Sequence, residues 1–135
     1  MTKIFITYVI TLIAFVAMDM IWLVWLARAT YVAELGDLLR KQPGLIAALG
    51  FYLMFAAGLV FFAIVPGLKS GSLLQTMALA AALGFVAYGT YDLTNLSVMN
   101  GFGFKIAIID LVWGTCLSAI TSAVAFTLVS KLSLN

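Results

Sequence analysis

The sequence predicts an all-α, polytopic membrane protein: a bundle of four transmembrane helices with a short interfacial helix between the first and the second. Three observations predict it. Of the 135 residues, 65% are hydrophobic and 9% charged, whereas a soluble domain carries about a quarter charged residues. The apolar residues gather into four runs, each of the roughly 20 residues needed to cross the hydrocarbon of a bilayer. Most of the charges fall outside the runs and too little chain is left over for a water-soluble domain, so residues 1–135 read as a single integral membrane domain.

The first span is expected at about residues 4–27. Lys3 precedes it, and Ala27-Arg28-Ala29 loosely mimics a signal-peptide cleavage site. The run is nevertheless much longer than a signal core of roughly 7–15 residues, and it contains Asp19, Trp22 and Trp25, so it is read as a mature helix. From Arg28 to Gln42 runs the one long connection. Leu35, Leu38 and Leu39 alternate there with Glu34, Asp37, Arg40 and Lys41, the pattern of a short amphipathic helix lying at the interface. The second span is expected at about 44–65, with Pro43 in its first turn and Pro66-Gly67 stopping it. Gly71-Ser72 opens the third, at about 72–95, and Asn100-Gly101 supplies the turn before the fourth, at about 105–130. Small residues recur at four-residue spacing on span 3 (Ala78 and Ala82; Ala80 and Gly84) and on span 4 (Gly114, Ser118, Ser122), which lets helix backbones approach closely.

Four spans place both termini on one side, side A, with Lys3, Lys69 and Lys131; side B holds Arg28, Arg40, Lys41 and Lys105. That near-balance sets no orientation and is compatible with a homodimer. The formal charge of +2 forms no basic patch, so nucleic acid is not expected as a partner. With no histidine and one cysteine, Cys116, there is no ligand set for zinc, haem or an iron–sulfur cluster; a hard cation held by oxygen ligands is the one metal still open, and no cofactor is expected. No lysine lies inside a span to form a retinal Schiff base.

Function has to be sought in the polar residues that the spans retain. Asp19, Asp92 and Asp110 lie within the apolar runs, where a carboxylate costs roughly 2.5–3.5 kcal/mol at a helix centre. Asp19 is nine residues before Arg28, roughly 13 Å along the helix axis from it. Asp92 falls near the end of span 3 and Asp110 near the start of span 4, both at side B. All three therefore belong to one half of the membrane. At about 100° per residue, Asp19 shares a face with Tyr8, Thr11 and Trp22, Asp92 with Tyr88 and Asn95, and Asp110 with Trp113 and Gly114. Intramembrane carboxylates face a bundle interior or a wet cavity. The three stripes are thus expected to converge, with Tyr52 of span 2 at a similar depth, on a pocket built from Asp19, Trp22, Tyr52, Tyr88, Tyr91, Asp92, Asn95, Asp110 and Trp113. The plainer alternative has the same aspartates solvated at the headgroups, or paired with Arg28 or Lys105 as structural glue.

The segments MDMIWL (18–23), YGTYDLTNL (88–96) and IIDLVWGTCLSA (108–119) resemble those of an uncharacterised bacterial family of four-helix inner-membrane proteins, the domain-of-unknown-function 2177 family. The resemblance runs along the whole chain. It implies a bacterial inner-membrane location and makes Asp19, Trp22, Tyr88, Asp92, Asn95, Asp110, Trp113 and Gly114 the motif positions. It implies no activity.

Three functions suit these residues. The favoured one is binding or processing of a lipid or other amphiphile, with Asp19, Asp92 and Asp110 as candidate acids and bases if chemistry is done. Another is a small proton- or cation-coupled transporter, although such a site belongs near the midplane and these residues crowd one half. The third is an accessory subunit of a larger membrane complex, held through its small-residue faces.

Overall fold

Spans 3 and 4 form the most extensive helix pair of the bundle, because small residues line their crossing. A Cβ built on Gly84 would come 2.6 Å from Gly114 O, so the backbones meet where neither residue has a side chain. Ala80, Gly84, Gly114 and Ser118 are buried there, whereas Ala78 and Ala82 face outward. Of the two small-residue stripes on span 3, only one is used.

The computed structural model describes residues 1–132. Four helices are long and apolar enough to cross a membrane: span 1 (Thr2–Leu26), span 2 (Leu45–Ser70), span 3 (Leu73–Val98) and span 4 (Phe104–Lys131). Most of their large apolar side chains face outward, as helices in lipid require, while Phe15, Leu59, Ile64 and Leu117 are fully buried at the centre. Ser72 opens span 3 by accepting a hydrogen bond from Gln75 N at 3.1 Å on its Oγ.

Span 2 differs from expectation at both ends. It begins at Leu45 after the extended Gly44, so Pro43 precedes the helix instead of sitting in its first turn. It also runs through Pro66 to Ser70, ending only where Gly71 adopts φ 69°. The reason lies in the turn before the proline. Val60–Ile64 is wound as a π-turn, with Val65 N bonded back to Val60 O, and Pro66 falls in the first turn of the α-helix that resumes behind it. A proline is tolerated in a first turn, where its missing N–H removes no helical bond.

Span 1 also ends in a π-turn, Trp22–Leu26, and the chain bends at Ala27 into the interfacial helix, Arg28–Leu35. This helix starts and stops earlier than the leucine pattern implies. Gly36 takes φ 47° and breaks it, leaving a single 3₁₀ turn over Gly36–Leu38 and leaving Leu38 and Leu39 exposed. Tyr31 and Leu35 pack on Phe102, Ile106 and Ala107 at the start of span 4. Glu34 reaches Lys105 Nζ at 3.1 Å across the same contact.

Span 1 packs on span 4 and on the first half of span 2. The second half of span 2, from Val60 on, packs on span 3. Its first half has no such backbone contact with span 3, and aromatic rings bridge the gap: Phe51 and Tyr88 lie 6.3 Å apart, Phe55 and Tyr88 5.8 Å. That gap, in the side-B half, positions the site.

Candidate functional site

Span 1 delivers Asp19 to the bundle interior, where it is 5% exposed. Tyr52 of span 2 donates its hydroxyl to Asp19 Oδ2 at 2.6 Å, and Trp113 of span 4 donates Nε1–H to Oδ1 at 3.0 Å. One carboxylate therefore ties three spans together by bonds to a charged acceptor, the stronger class of hydrogen bond. Trp22 stacks flat on Trp113, with centroids 4.3 Å apart and planes 6° from parallel. Its Nε1–H points to Tyr31 Oη at 3.4 Å, and Tyr31 in turn donates to Asp110 Oδ1 at 2.6 Å. Burial pushes the Tyr31 phenol above its ordinary pKa, and the neighbouring Asp110 charge adds to the effect, so Tyr31 remains a donor.

Asp92 is different. It is 1% exposed, and no donor group of the protein reaches either of its oxygens. The Asp110 carboxyl lies beside it, close enough for the two acids to share a proton. A buried polar atom left unpaired costs far more than a net hydrogen bond gains, so an arrangement of this kind needs an occupant or a purpose.

These groups line one cavity of about 330 Å³ that is open on one side. Asp19, Asp92 and Asp110 meet in it, with Tyr31, Tyr52, Tyr88 and Tyr91 among its walls. Ala48 of span 2 and Ala87 of span 3 also line it. Gly114 serves the cavity indirectly. A Cβ there would overlap the Tyr88 ring, so the glycine lets that ring lie flat against span 4. Among the described residues, no three metal-ligating side chains converge closely enough to hold an ion.

Residues 4–127 match the family described as "Predicted membrane protein (DUF2177)". The chain belongs to this family. No curated protein and no solved structure matches it.

In this DUF2177 protein the three segments quoted above each bring an acid to the same cavity: Asp19, Asp92 and Asp110. Tyr52, Tyr88 and Tyr91 line it as well. Trp22 and Trp113 do not. They stand behind the acids, holding Asp19 and Tyr31 in place, because their indole N–H groups are taken up by those partners. Asn95 also lies outside the lining, half-buried one turn beyond Asp92. The alternative pairing with Arg28 or Lys105 is absent among the described residues, since Lys105 pairs with Glu34. Tyr31, Phe51 and Phe102 line the cavity and were not singled out by the sequence. For Tyr31 there was a usable signal: it lies one turn before Leu35, on the face that the interfacial helix buries.

Proposed function

We propose that this DUF2177 protein binds a membrane amphiphile, with the polar head in the acid-lined cavity and the chain lying out through the gap between spans 2 and 3. The observation that carries this reading is Asp92: a carboxyl buried to 1% exposure, reached by no donor of the protein, and lining a cavity with mostly apolar walls. Ligand sites pair a few convergent polar groups with mostly apolar walls. Here Phe51, Phe102, Ile106 and Leu23 supply such walls. A ligand that arrives through lipid needs a side entrance, and the sparser packing between the first half of span 2 and span 3 favours one there. On this reading the membrane is the bacterial inner membrane, which the resemblance of the motifs supports.

The test fills the entrance. Ala87→Leu puts a branched side chain into the cavity wall and leaves all three acids in the sequence. Native mass spectrometry of the wild type, released from mild detergent, is expected to show one retained lipid or amphiphile per chain. The Ala87→Leu protein, with unchanged thermal stability, is expected to lose it. A wild type that carries no adduct and takes none up from added lipid extract would refute the reading.

A further inference from the structure

The charged lining of the cavity has only one sign. Its carboxyls are Asp19, Asp92 and Asp110, and among the described residues no lysine or arginine lines it. Lys105, the nearest cation in sequence to Asp110, is engaged by Glu34 at 3.1 Å. Of the donors around the site, Tyr52 and Trp113 are spent on Asp19 and Tyr31 on Asp110, which leaves the neutral hydroxyls of Tyr88 and Tyr91. Charged acceptor capacity remains on both oxygens of Asp92 and on the Asp110 carboxyl beside it. The walls next to Asp92 are the rings of Tyr88 and Tyr91, whose faces attract cations.

We infer that the head recognised by this cavity is a primary ammonium, presented by an amine-bearing lipid or long-chain amine. The inference rests on the amphiphile reading above and narrows it. An ammonium carries three N–H donors and a positive charge, which answers two unpartnered Asp92 oxygens and the adjacent Asp110. A phosphate or carboxylate head without an amine would meet three acids and no cation. A hydroxyl head donates a single hydrogen bond and leaves the charge unmatched. A quaternary ammonium meets the rings but has no proton to give Asp92.

The experiment compares heads on one chain. The protein, carrying Trp25→Phe so that fluorescence reports the Trp22–Trp113 stack behind Asp19, is reconstituted in nanodiscs of lipid lacking primary amines. It is titrated at neutral pH with dodecylamine, dodecanol, dodecyltrimethylammonium and ethylamine. Dodecylamine is expected to bind about tenfold or more tighter than dodecanol and the quaternary amine, the range of a charge-assisted hydrogen bond. Asp92→Asn is expected to shrink that preference to about twofold while dodecanol still binds. Equal affinity of the wild type for dodecylamine and dodecanol overturns the ammonium assignment and leaves the amphiphile reading standing. Failure of every long-chain probe overturns both. Ethylamine binding as tightly as dodecylamine assigns the site to a free amine and overturns the lipid source. The wild-type ratios decide the matter even where Asp92→Asn does not fold.

Discussion

Two glycine-to-alanine substitutions, identical in chemistry, are expected to have opposite effects. Gly50 is on the outward side of span 2, and a Cβ there would meet nothing within 4 Å. Gly114 is on the inward side of span 4, and a Cβ there would fall inside the Tyr88 ring, against its root instead of its flexible tip. Alanine gains about 1 kcal/mol over glycine in a helix interior at either place. At Gly50 nothing opposes that gain, so Gly50→Ala should stabilise by about 1 kcal/mol. At Gly114 the ring must rotate or span 3 must move away, and overpacking of this kind costs about 3 kcal/mol at its upper typical range. The net expectation for Gly114→Ala is a loss of about 2 kcal/mol, and a separation of about 3 kcal/mol between the two variants. Unfolding in mixed micelles of dodecyl maltoside with rising fractions of dodecyl sulfate, followed by far-ultraviolet circular dichroism, measures both on one scale. Tyr88 also lines the cavity, so Gly114→Ala should weaken dodecylamine binding where Gly50→Ala does not. If Gly114→Ala were as stable as Gly50→Ala, the close crossing of spans 3 and 4 and the seat of Tyr88 would both be wrong.

Asp19→Ala leaves Trp113 Nε1–H and Tyr52 Oη–H without an acceptor and should cost about 2–4 kcal/mol in the same unfolding assay. Asp19→Asn can accept from Trp113 and donate to Tyr52, so it should cost about 1 kcal/mol; equal losses for the two would show that the bonds across the bundle are not made. Tyr31→Phe removes the donor to Asp110 and the acceptor of Trp22, and should lower stability by about 1–2 kcal/mol while shifting the tryptophan emission. Lys105→Gln breaks an ion pair whose side chains are 67% and 24% exposed, and the unfolding midpoint should move by less than about 1 kcal/mol equivalent.

The spans were legible because a bilayer imposes a length and an all-helical backbone, and a sequence meets those demands with long apolar runs or fails. Their ends were less so. Pro66 reads as a stop, and only the π-turn at Val60–Ile64 explains why the helix passes through it. A wider turn depends on tertiary packing, and no residue between Val60 and Ile64 announces it. The common depth of Asp19, Asp92 and Asp110 followed from helix rise alone, and all three do line one cavity. Sequence periodicity gives a direction around a helix to within a side chain or so, which is too coarse to tell a wall from its support. Trp22 and Trp113 share faces with the acids and still sit behind them, while Asn95 shares a face with Asp92 and lies past the cavity. Tyr31 shares the buried face of its helix with Leu35, but that this face docks against span 4 through Phe102 and Ile106 is a contact that no local pattern encodes. Ala48 and Ala87 line the cavity as well, and small residues are common on every span.

The polar groups of the two membrane halves are satisfied in different ways, and the difference bears on what the protein can do. In the side-A half, Thr7 donates to Lys3 O, Thr11 to Thr7 O and Thr76 to Ser72 O, each closing on a carbonyl one turn back in its own helix. Such bonds make a hydroxyl compatible with lipid, and only Thr121 and Ser122 are left buried without a partner in that half among the described residues. In the side-B half Thr90 and Ser97 close on their own helix in the same way, but the acids are reached between helices, from Tyr52 and Trp113 to Asp19 and from Tyr31 to Asp110. Bonds across helices fix geometry, and they hold three acids around Asp92. Between the halves, Phe15, Leu59 and Leu117 are fully buried, with the Phe15 ring against Phe55 at 5.1 Å. Phe15 stands one turn from Asp19 on one side and one turn from Thr11 on the other, so it closes the line that a crossing solute would follow. A path through the bundle would require that ring to leave a site where it has no exposed surface. Asp19, Asp92 and Asp110 therefore share a cavity on one side of the Phe15 plug, and a ligand in contact with them has no open way past that ring to the other half.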